Sequence, residues 1–341
     1  MKIDKLVLLS VVLCAAVLAG ELAAYGISPH GYGAEAVSDG DSANVTVSSS
    51  GSDTFSVIVA DNGTYPDLAR LYIYLDERYG ETIGDAGEAA GLRDVDIRYA
   101  IDQMCRSLRV RGFGDVVICD DERLLDEMLA DAGDSRSKGL LVMSYALPES
   151  IYSGQETDLL FKWIKEGGRL YWMASPIGMF CRTGDGLAEV ENAQELFFGR
   201  ECVSMDDSGP ALSVIDGNGL TNALALKWNR TLYGLNASGI EGSVSMGYSL
   251  DGYSSVSMVP FGGGMICVFG GNYERYLCDD AAQVISSGIS CYSKVLETRS
   301  GTVTRGTAEL SFGIPEGTGG ISVYVSIGGY YVVFGRCMHV R

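Results

Sequence analysis

The alternation of apolar and polar stretches is clearest in the middle of the chain, where it predicts a strand, a helix and a second strand. The two strands, 140–143 and 170–173, are almost continuously apolar, which is typical of strands covered on both faces of a parallel sheet. Between them, Ser153 and Glu156 have the spacing of a capping box, apolar residues follow at helical spacing, and Gly167 provides a stop. This pattern predicts a buried βαβ unit.

Similar patterns extend on both sides of this unit. Residues 54–61 and 116–119 predict two earlier strands, and the apolar run 265–269 between glycines predicts a late core strand. Helical spacing of apolar residues predicts helices over 68–75 and 97–108. Strands that alternate with helices favour an open sheet, because right-handed crossovers lay the helices on both of its faces. The predicted fold class is therefore α/β, with a doubly wound, mostly parallel sheet.

The N-terminal segment has the pattern of an export signal. Lys2 and Lys5 precede an uncharged run of apolar or small residues over 6–19, which suits a cleaved signal peptide. An uncleaved signal anchor that extends through Glu21 to Ile27 explains the same residues, and both alternatives stay open. Either way, we expect contact with the membrane through this segment only, and a secreted or membrane-anchored protein with an extracytoplasmic domain.

The remaining patterns divide the chain into four parts. A stretch rich in Gly, Ser and Asp follows the N-terminal segment and predicts a flexible linker. Near the C-terminus, alternating apolar runs separated by Gly and Pro predict an antiparallel β appendage. The predicted parts are a signal peptide or anchor over 1–28, the linker over 29–53, the α/β domain over 54–298 and the appendage over 299–341.

Charge narrows the classes of partner. The chain has 25 Lys and Arg against 44 Asp and Glu, a formal net charge of -19, which argues against nucleic acid as a partner. Such acidity suits an exposed, soluble surface, so a cell-surface protein or a glycan is the expected partner class. Sequons that support export and mark candidate glycosylation sites occur at Asn44, Asn62, Asn229 and Asn236.

Three sequence features carry a resemblance to a known family. A helix over 155–168 is closed by Gly167 and Gly168, the next strand begins with Arg169, and a late strand follows a run of three glycines. Together with the order of parts from residue 54 to about 292, they make the chain similar to the class I glutamine amidotransferase-like superfamily. The resemblance implies a flavodoxin-like, or Rossmann-like, α/β fold.

The family's catalytic residues have no counterparts in this sequence. Active members use a Cys on a tight turn between a strand and a helix, with a His and an acidic residue after the last core strand. Here the corresponding turn is Ala174, Ser175 and Pro176, and the histidines are His30 and His339. The resemblance therefore implies a domain that lacks the Cys-His-Glu set and amidotransferase activity.

Polar residues at strand ends are the candidates for a ligand site. Asp61, Asp120 and Ser144 each follow a predicted parallel strand, and ligands in such sheets bind at that edge. The alternative for Asp120 is a capping role at the helix that begins there. The candidate ligand-binding residues are Asp61, Asn62, Asp120, Ser144, Tyr145 and Ser175. No metal-site spacing or cofactor motif accompanies them, so neither a metal nor a cofactor is expected.

The cysteines allow one disulfide to be suggested. The chain has nine Cys, and an even set remains once Cys14 in the N-terminal segment is set aside. In an exported protein, Cys181 and Cys202 are the candidate pair, because they bracket the loop after the central unit.

Two hypotheses for function follow. The first is a membrane-tethered, extracytoplasmic, non-catalytic binding or structural module of the cell surface. The alternative is a hydrolase that acts on a glycan or peptide at the carboxyl edge of the parallel sheet, through Asp61, Asp120 and Ser175.

Overall fold

The structure of the protein is a computed structural model that describes most of the chain between residues 31 and 331. The described residues are 31–38, 41–61, 68–75, 97–120, 122–130, 132–173, 176–204, 213–216, 220–224, 226, 234–250, 252–270, 275–318, 320–328 and 330–331. No helix in these ranges is both long and apolar enough to cross a membrane. The segment predicted over 1–28 lies outside them.

The described residues form six α-helices and eighteen strands. The helices are α1 (Ile97–Val110), α2 (Glu122–Ala130), α3 (Leu159–Lys165), α4 (Ala193–Phe198), α5 (Leu220–Ala223) and α6 (Arg275–Ser286). The first strands are β1 (Tyr32–Ser38), β2 (Ser42–Asp61), β3 (Arg70–Tyr74), β4 (Val116–Cys119), β5 (Lys138–Val142), β6 (Ala146–Pro148), β7 (Arg169–Met173), β8 (Phe180–Thr183) and β9 (Gly186–Glu189). The others are β10 (Val203–Ser204), β11 (Ser213–Asp216), β12 (Gly234–Leu235), β13 (Val244–Leu250), β14 (Tyr253–Phe261), β15 (Gly264–Phe269), β16 (Lys294–Gly313), β17 (Ile321–Ile327) and β18 (Tyr330–Tyr331).

The largest sheet, which we call the mixed sheet, has ten strands within the described residues. Strands β4, β3, β5, β7 and β15 lie side by side and run parallel. The predicted βαβ unit of β5, α3 and β7 is confirmed. Beyond β15 the sheet continues through antiparallel pairings of β14, β13, β12, β11 and β10.

The prediction of a doubly wound, mostly parallel sheet is therefore wrong. Half of the mixed sheet is antiparallel, because β14 and β15 are joined by a tight turn at Gly262 and Gly263, and a short turn can connect only antiparallel neighbours. Glycine is required at the start of β15. A Cβ at Gly264 would lie 2.2 Å from the carbonyl oxygens of both Gly168 and Ile164.

The parallel strands are buried on both faces. On one face, α1 and α6 pack together over Leu71, Leu141 and Cys267. On the other face, α2 and α3 cover Leu140 and Trp172. Such double burial explains why these strands are almost continuously apolar.

Strand β3 replaces the helix predicted over 68–75. Its side chains alternate between the two cores, since Leu71 and Ile73 pack on one face and Tyr72 and Tyr74 on the other. A fully apolar strand satisfies both helical and strand spacing, and here burial on two sides selects the strand. The predicted capping box also differs, because α3 begins after Asp158 rather than at Ser153.

A second sheet, which we call the curled sheet, has five strands in the described ranges. Strands β2 and β16 are each 20 residues long and pair antiparallel along almost their whole length. On the other edge of β2, β1 pairs with its first half and β17 with its second half.

This sheet corrects three local predictions. The flexible linker over 29–53 contains β1 and most of β2, because Ala43, Val45 and Val47 are buried at strand spacing between Ser and Thr residues that hide the apolar pattern. Residues 54–61 are part of β2 and not the first strand of a parallel sheet. The C-terminal antiparallel strands exist, but they pair with β2 rather than form an appendage.

The curled sheet bends sharply in its middle. Arg299 and Ser311 are 12 residues apart in β16, yet Arg299 Nη1 donates to the carbonyl of Ser311 at 2.8 Å. A straight strand of that length would separate them by about 40 Å. The bend coincides with a bulge between Thr304 and Gly306 and with a φ of 40° at Arg305. Both halves of the sheet contribute to one apolar cluster, so the sheet folds over its own core.

The curled sheet also packs against the mixed sheet. Ile58, Ala60 and Tyr324 point away from the curled sheet's own core and belong to the cluster that contains α1 and α6. A third sheet, of β6, β8 and β9, lies beyond the carboxyl ends of the parallel strands.

Candidate functional site

The structure does not bring the predicted ligand-binding residues together at one edge of the parallel strands. Asp61 is in β2 of the curled sheet, where it pairs with Lys294 and Ile321, so the prediction that it lies at the carboxyl edge of the parallel strands is wrong. The reason is that β2 joins the antiparallel sheet. Asn62 and Ser175 lie outside the described residues.

The other candidate residues lie at the expected edge but do not form a groove. Asp120 follows β4 and is exposed. Ser144 and Tyr145 follow β5 and are 1% and 3% exposed. Tyr145 belongs to the apolar core on the face of α1 and α6. A ligand in solvent therefore meets Asp120 but not the two buried side chains.

A polar cleft opens near this edge, with a volume of about 450 Å³. That volume is in the usual range for small-molecule sites. Its lining is polar and carries charges of both signs. The lining residues are Glu122, Glu149, Ser150, Arg182, Thr183 and Gly184.

Three loops at carboxyl ends of strands build the cleft. Glu122 is the first residue of α2 and follows β4, while Glu149 directly follows β6. Strands β6 and β8 run parallel, and the backbone N–H of Glu149 donates to the carbonyl of Arg182 at 2.8 Å. The turn after β8 is closed by the Thr183 hydroxyl, which donates to the carbonyl of Gly186 at 3.2 Å.

A hydrogen bond joins two residues that line the cleft. The Ser150 hydroxyl donates to Oε1 of Glu122, and so links the loop after β6 to the start of α2. Both glutamate side chains are exposed and can reach a bound molecule. The bond orients the Glu122 carboxylate, whose Oε1 accepts the hydrogen bond.

The side chain of Arg182 contributes the positive charge. It is 6% exposed, and it alternates in β8 with Cys181, which faces the large core. An arginine carries five N–H donors, so its guanidinium can serve a ligand in addition to its contacts within the protein. Arg182 thus lines the same cleft as the two carboxylates.

Hydrogen bonds hold the segment that follows the cleft residues Glu149 and Ser150. Asp158 accepts hydrogen bonds from the backbone N–H groups of Ser153 and Gln155 at 2.8 and 2.9 Å. The Tyr152 hydroxyl donates to the carbonyl of Gly178 at 2.8 Å. Burial, with a smaller contribution from Asp158, raises the pKa of Tyr152, so this tyrosine stays neutral and acts as a structural donor.

The predicted disulfide does not form in the structure. Cys181 and Cys202 are separate, buried, free thiols, each packed in the core on the face of α2 and α3. Burial raises the pKa of the Cys181 thiol and raises that of Cys202 to about 11. Thiols with raised pKa values are poor nucleophiles, so these two residues contribute to packing.

Carboxylates are the available acid and base groups of the cleft. Among the described residues that line the cleft, Glu122 and Glu149 are the groups that can transfer a proton. His30 and His339 lie outside the described residues. Among the described residues, no group of three or more His, Cys, Asp or Glu is arranged to hold a metal ion.

The sequence pointed toward the cleft through the positions of Glu122 and Glu149 rather than through their residue type. Glu122 and Glu149 lie two and five residues beyond Asp120 and Ser144, so the rule about strand ends pointed to the correct edge. The rule did not identify Glu149, because β6 is an extra strand between β5 and that residue. Arg182 gave a second signal, as a charged residue directly after the apolar run 177–181.

Comparison with known proteins gives only distant likenesses. No family model matches the chain, and no curated protein matches it. Among solved structures, a β-galactosidase from Rahnella sp. R3 shows 14% identity and a TM-score of 0.38 over 72% of this chain and 41% of its own. A GH42 β-galactosidase from G. stearothermophilus shows 19% identity and a TM-score of 0.39 over 62% and 28%. An exo-β-1,4-mannosidase from Opitutaceae bacterium strain TAV5 shows 13% and 0.33 over 65% and 35%.

These likenesses are too weak to assign a fold or an activity. The chain spans well under half the length of each of these enzymes, and the TM-scores are all below 0.4.

The resemblance to the amidotransferase-like superfamily is wrong. It depended on residues 54–61 as the first strand of a parallel sheet, and these residues belong to the curled sheet. The interpretation as a non-catalytic binding or structural module rested on that resemblance and is wrong with it.

Proposed function

We propose that this protein is a glycan hydrolase that acts at the cleft between α2, β6 and β8. One observation carries the proposal: Glu122 and Glu149 line one cleft together with Arg182. The proposal rests on the cleft and not on the glycosidases named above, because the TM-scores of those enzymes are below 0.4.

Two carboxyl groups are the machinery that hydrolysis of a glycosidic bond requires. One protonates the leaving oxygen, and the other acts as a base toward water or as the nucleophile at the anomeric carbon. The hydrogen bond from Ser150 suits Glu122 to the second role, because it orients the carboxylate. Glu149 then serves as the general acid, and Arg182 supplies donors for sugar hydroxyl groups.

A glycan fits this cleft better than a peptide. Hydrolysis of a peptide by a serine requires a base that activates the hydroxyl and a third group that orients the base. Ser150 contacts Glu122 directly, and the described residues contain no histidine. The described residues of the cleft therefore include a pair of carboxyl groups and no triad.

The proposal includes an extracytoplasmic location. Lys2, Lys5 and the apolar run that follows support export, and extracellular polysaccharide is then the accessible substrate. Fractionation of cells that produce the full chain tests this part. Recovery of the protein from the cytosol alone would contradict it.

The experiment is an assay of the full chain against a panel of oligosaccharides and aryl glycosides. Glu122→Gln and Glu149→Gln keep the shape of the side chains and remove the carboxyl groups, and each should lower kcat/KM by about 10²-fold to 10⁴-fold. Glu127→Gln is the matched control, since Glu127 lies on the same helix and pairs with Arg123 outside the cleft.

Two outcomes would reject the proposal. One is a lack of hydrolysis across the whole panel. The other is activity that survives both cleft substitutions as well as it survives Glu127→Gln.

A further inference from the structure

A glycosylation sequon lies on the outer face of the curled sheet. Asn44, Val45 and Thr46 are consecutive residues of β2. Ala43 and Val45 are 0% and 1% exposed and face the core of that sheet, whereas Asn44 is exposed. Because successive side chains of a strand point to opposite faces, the pairing of β2 fixes Asn44 toward solvent.

Its neighbours across the strands leave room for a large group. In the register of the sheet, Asn44 lies between Val37 of β1 and Ser311 of β16. Directly paired residues share a face at about 5 Å between Cβ atoms. Ser311 is small, and Val37 is 55% exposed. The surface around Asn44 is therefore open and contains an uncovered apolar side chain.

The nitrogen of the Asn44 side chain is accessible. Its Nδ2 donates to the hydroxyl of Ser42 at 3.3 Å, in an exposed position, which is at the long end for such a bond. An amide group has two N–H donors, so this contact leaves the nitrogen open to solvent.

The second described sequon is held more tightly. Oδ1 of Asn236 accepts hydrogen bonds from the Ser238 N–H at 3.1 Å and from the Ser238 hydroxyl at 2.5 Å. Between them, Ala237 is 3% exposed. The sequons at Asn62 and Asn229 lie outside the described residues. Of the two sequons that can be compared, Asn44 has the more open surroundings.

We propose that Asn44 carries an N-linked glycan that lies over Val37 and the edge strand β1. In the reaction, Nδ2 attacks the anomeric carbon of a lipid-linked oligosaccharide on a membrane transferase. A C–N bond forms, the bond from that carbon to the phosphate oxygen breaks, and the lipid phosphate leaves. The amide proton passes to a base on the transferase, and no redox change occurs.

The glycan would have a physical function at this position. β1 is an edge strand of the curled sheet, and an exposed edge with an apolar residue is a site for unwanted pairing with another chain. A bulky, hydrated group next to Val37 would block that approach. This inference does not depend on the hydrolase activity, but it does require export of the chain.

The test is mass spectrometry of the full chain isolated from the membranes and medium of its natural host. The peptide that contains Asn44 should carry a glycan mass in the wild type. Asn44→Gln and Thr46→Ala should abolish it, whereas Thr46→Ser, which restores the sequon, should retain it. Asn236→Gln is the control that leaves the Asn44 peptide unchanged.

Each alternative outcome overturns the proposal. These outcomes are an unmodified Asn44 peptide in the wild type, whichever fraction yields it, and a modification that survives Thr46→Ala. The wild-type peptide alone decides the first outcome, so a variant that fails to fold does not obscure the result. Circular dichroism of the Thr46 variants checks folding separately.

Discussion

The parallel half of the mixed sheet and the curled sheet reach stability by different routes. Strands β5 and β7 are buried along their whole length between helices on both faces. Strand β16 is mostly exposed, with only Val303 and Phe312 fully buried along its 20 residues. The first route depends on close packing in two cores, and the second on a long hydrogen-bonded ladder around one small core.

Each region should therefore be sensitive to a different kind of substitution. Close-packed interiors lose stability when even a methyl group is added or removed. A bent, one-sided sheet can relax around small changes, but it depends on the contacts that hold its bend. The predictions that follow separate the two regions, beginning with the largest effect.

Gly264→Ala should cause the greatest loss. The added Cβ would lie 2.2 Å from two backbone carbonyl oxygens, which cannot move without separating β15 from the turn before β7. We expect a loss of about 4 kcal/mol in the free energy of unfolding, measured by urea denaturation. Gly313→Ala is the matched control in the curled sheet, where a Cβ meets nothing within 4 Å. Equal losses for the two variants would contradict the proposed contrast.

The same residue type can be truncated in each core. Val142 in β5 and Val47 in β2 are both 0% exposed. Val142→Ala should cost about 3 kcal/mol, because strands and helices on all sides prevent collapse of the cavity, and Val47→Ala about 1.5 kcal/mol, because the curled sheet can relax. Chemical denaturation of both variants measures the difference. A larger loss for Val47→Ala would reverse the argument.

Alkaline pH should act through the two cores of the mixed sheet. Every buried thiol of the described residues lies in its two cores and none in the core of the curled sheet. Burial raises the pKa of Cys202 to about 11 and those of Cys278 and Cys291 to about 12. The ordinary value is about 8.5, so the folded state keeps protons that the unfolded chain loses.

The sign of the effect follows from linkage. Stability from these thiols is complete below about pH 8.5, and it falls by up to about 1.4 kcal/mol per pH unit for each thiol until the folded pKa is reached. Urea midpoints between pH 8 and 10.5 measure the slope. Cys278→Ala should reduce it, while Val303→Ala in the curled sheet should lower stability equally at every pH. A slope that Cys278→Ala leaves unchanged would refute the assignment.

How much of the structure the sequence predicts also depends on these two modes of burial. Strands β5 and β7 are readable because burial on both faces requires continuous apolar runs. The first half of β2 is not, because Val45 and Val47 alternate with Asn, Thr and Ser that also suit a linker. Strand β3 fails for the opposite reason, since a short, fully apolar run fits a helix equally well.

The sequence predicts the candidate site only in part. The sequence indicates that ligands bind where parallel strands end, and the cleft lies near that edge. It does not indicate which residues meet there, because Glu149 and Arg182 come together only through the parallel pairing of β6 and β8. That pairing is long-range, and no local pattern encodes it. Asp61 is absent from the site for the converse reason, because its strand pairs in a different sheet.

The bend of the curled sheet gives the smallest predicted effect. Arg299 lies 4.7 Å from the ring centre of Phe312, donates to the carbonyl of Ser311 at 2.8 Å and pairs with Glu297 at 2.7 Å. Arg299→Lys keeps the charge but loses the planar stacking and the paired donors. We expect a loss of about 1 kcal/mol, mostly from the stacking contact, since exposed ion pairs contribute little.

A matched substitution isolates the contribution of the bend. Arg123→Lys alters an exposed pair on α2, where Arg123 contacts Glu127 at 2.8 Å, and should change stability by less than about 0.5 kcal/mol. Hydrogen exchange should show the loss from Arg299→Lys in the amides of β16 near Thr304 and Gly306. If the two Lys variants are equally stable and exchange alike, Arg299 does not hold the bend, and the bulge at 304–306 alone must set the curvature.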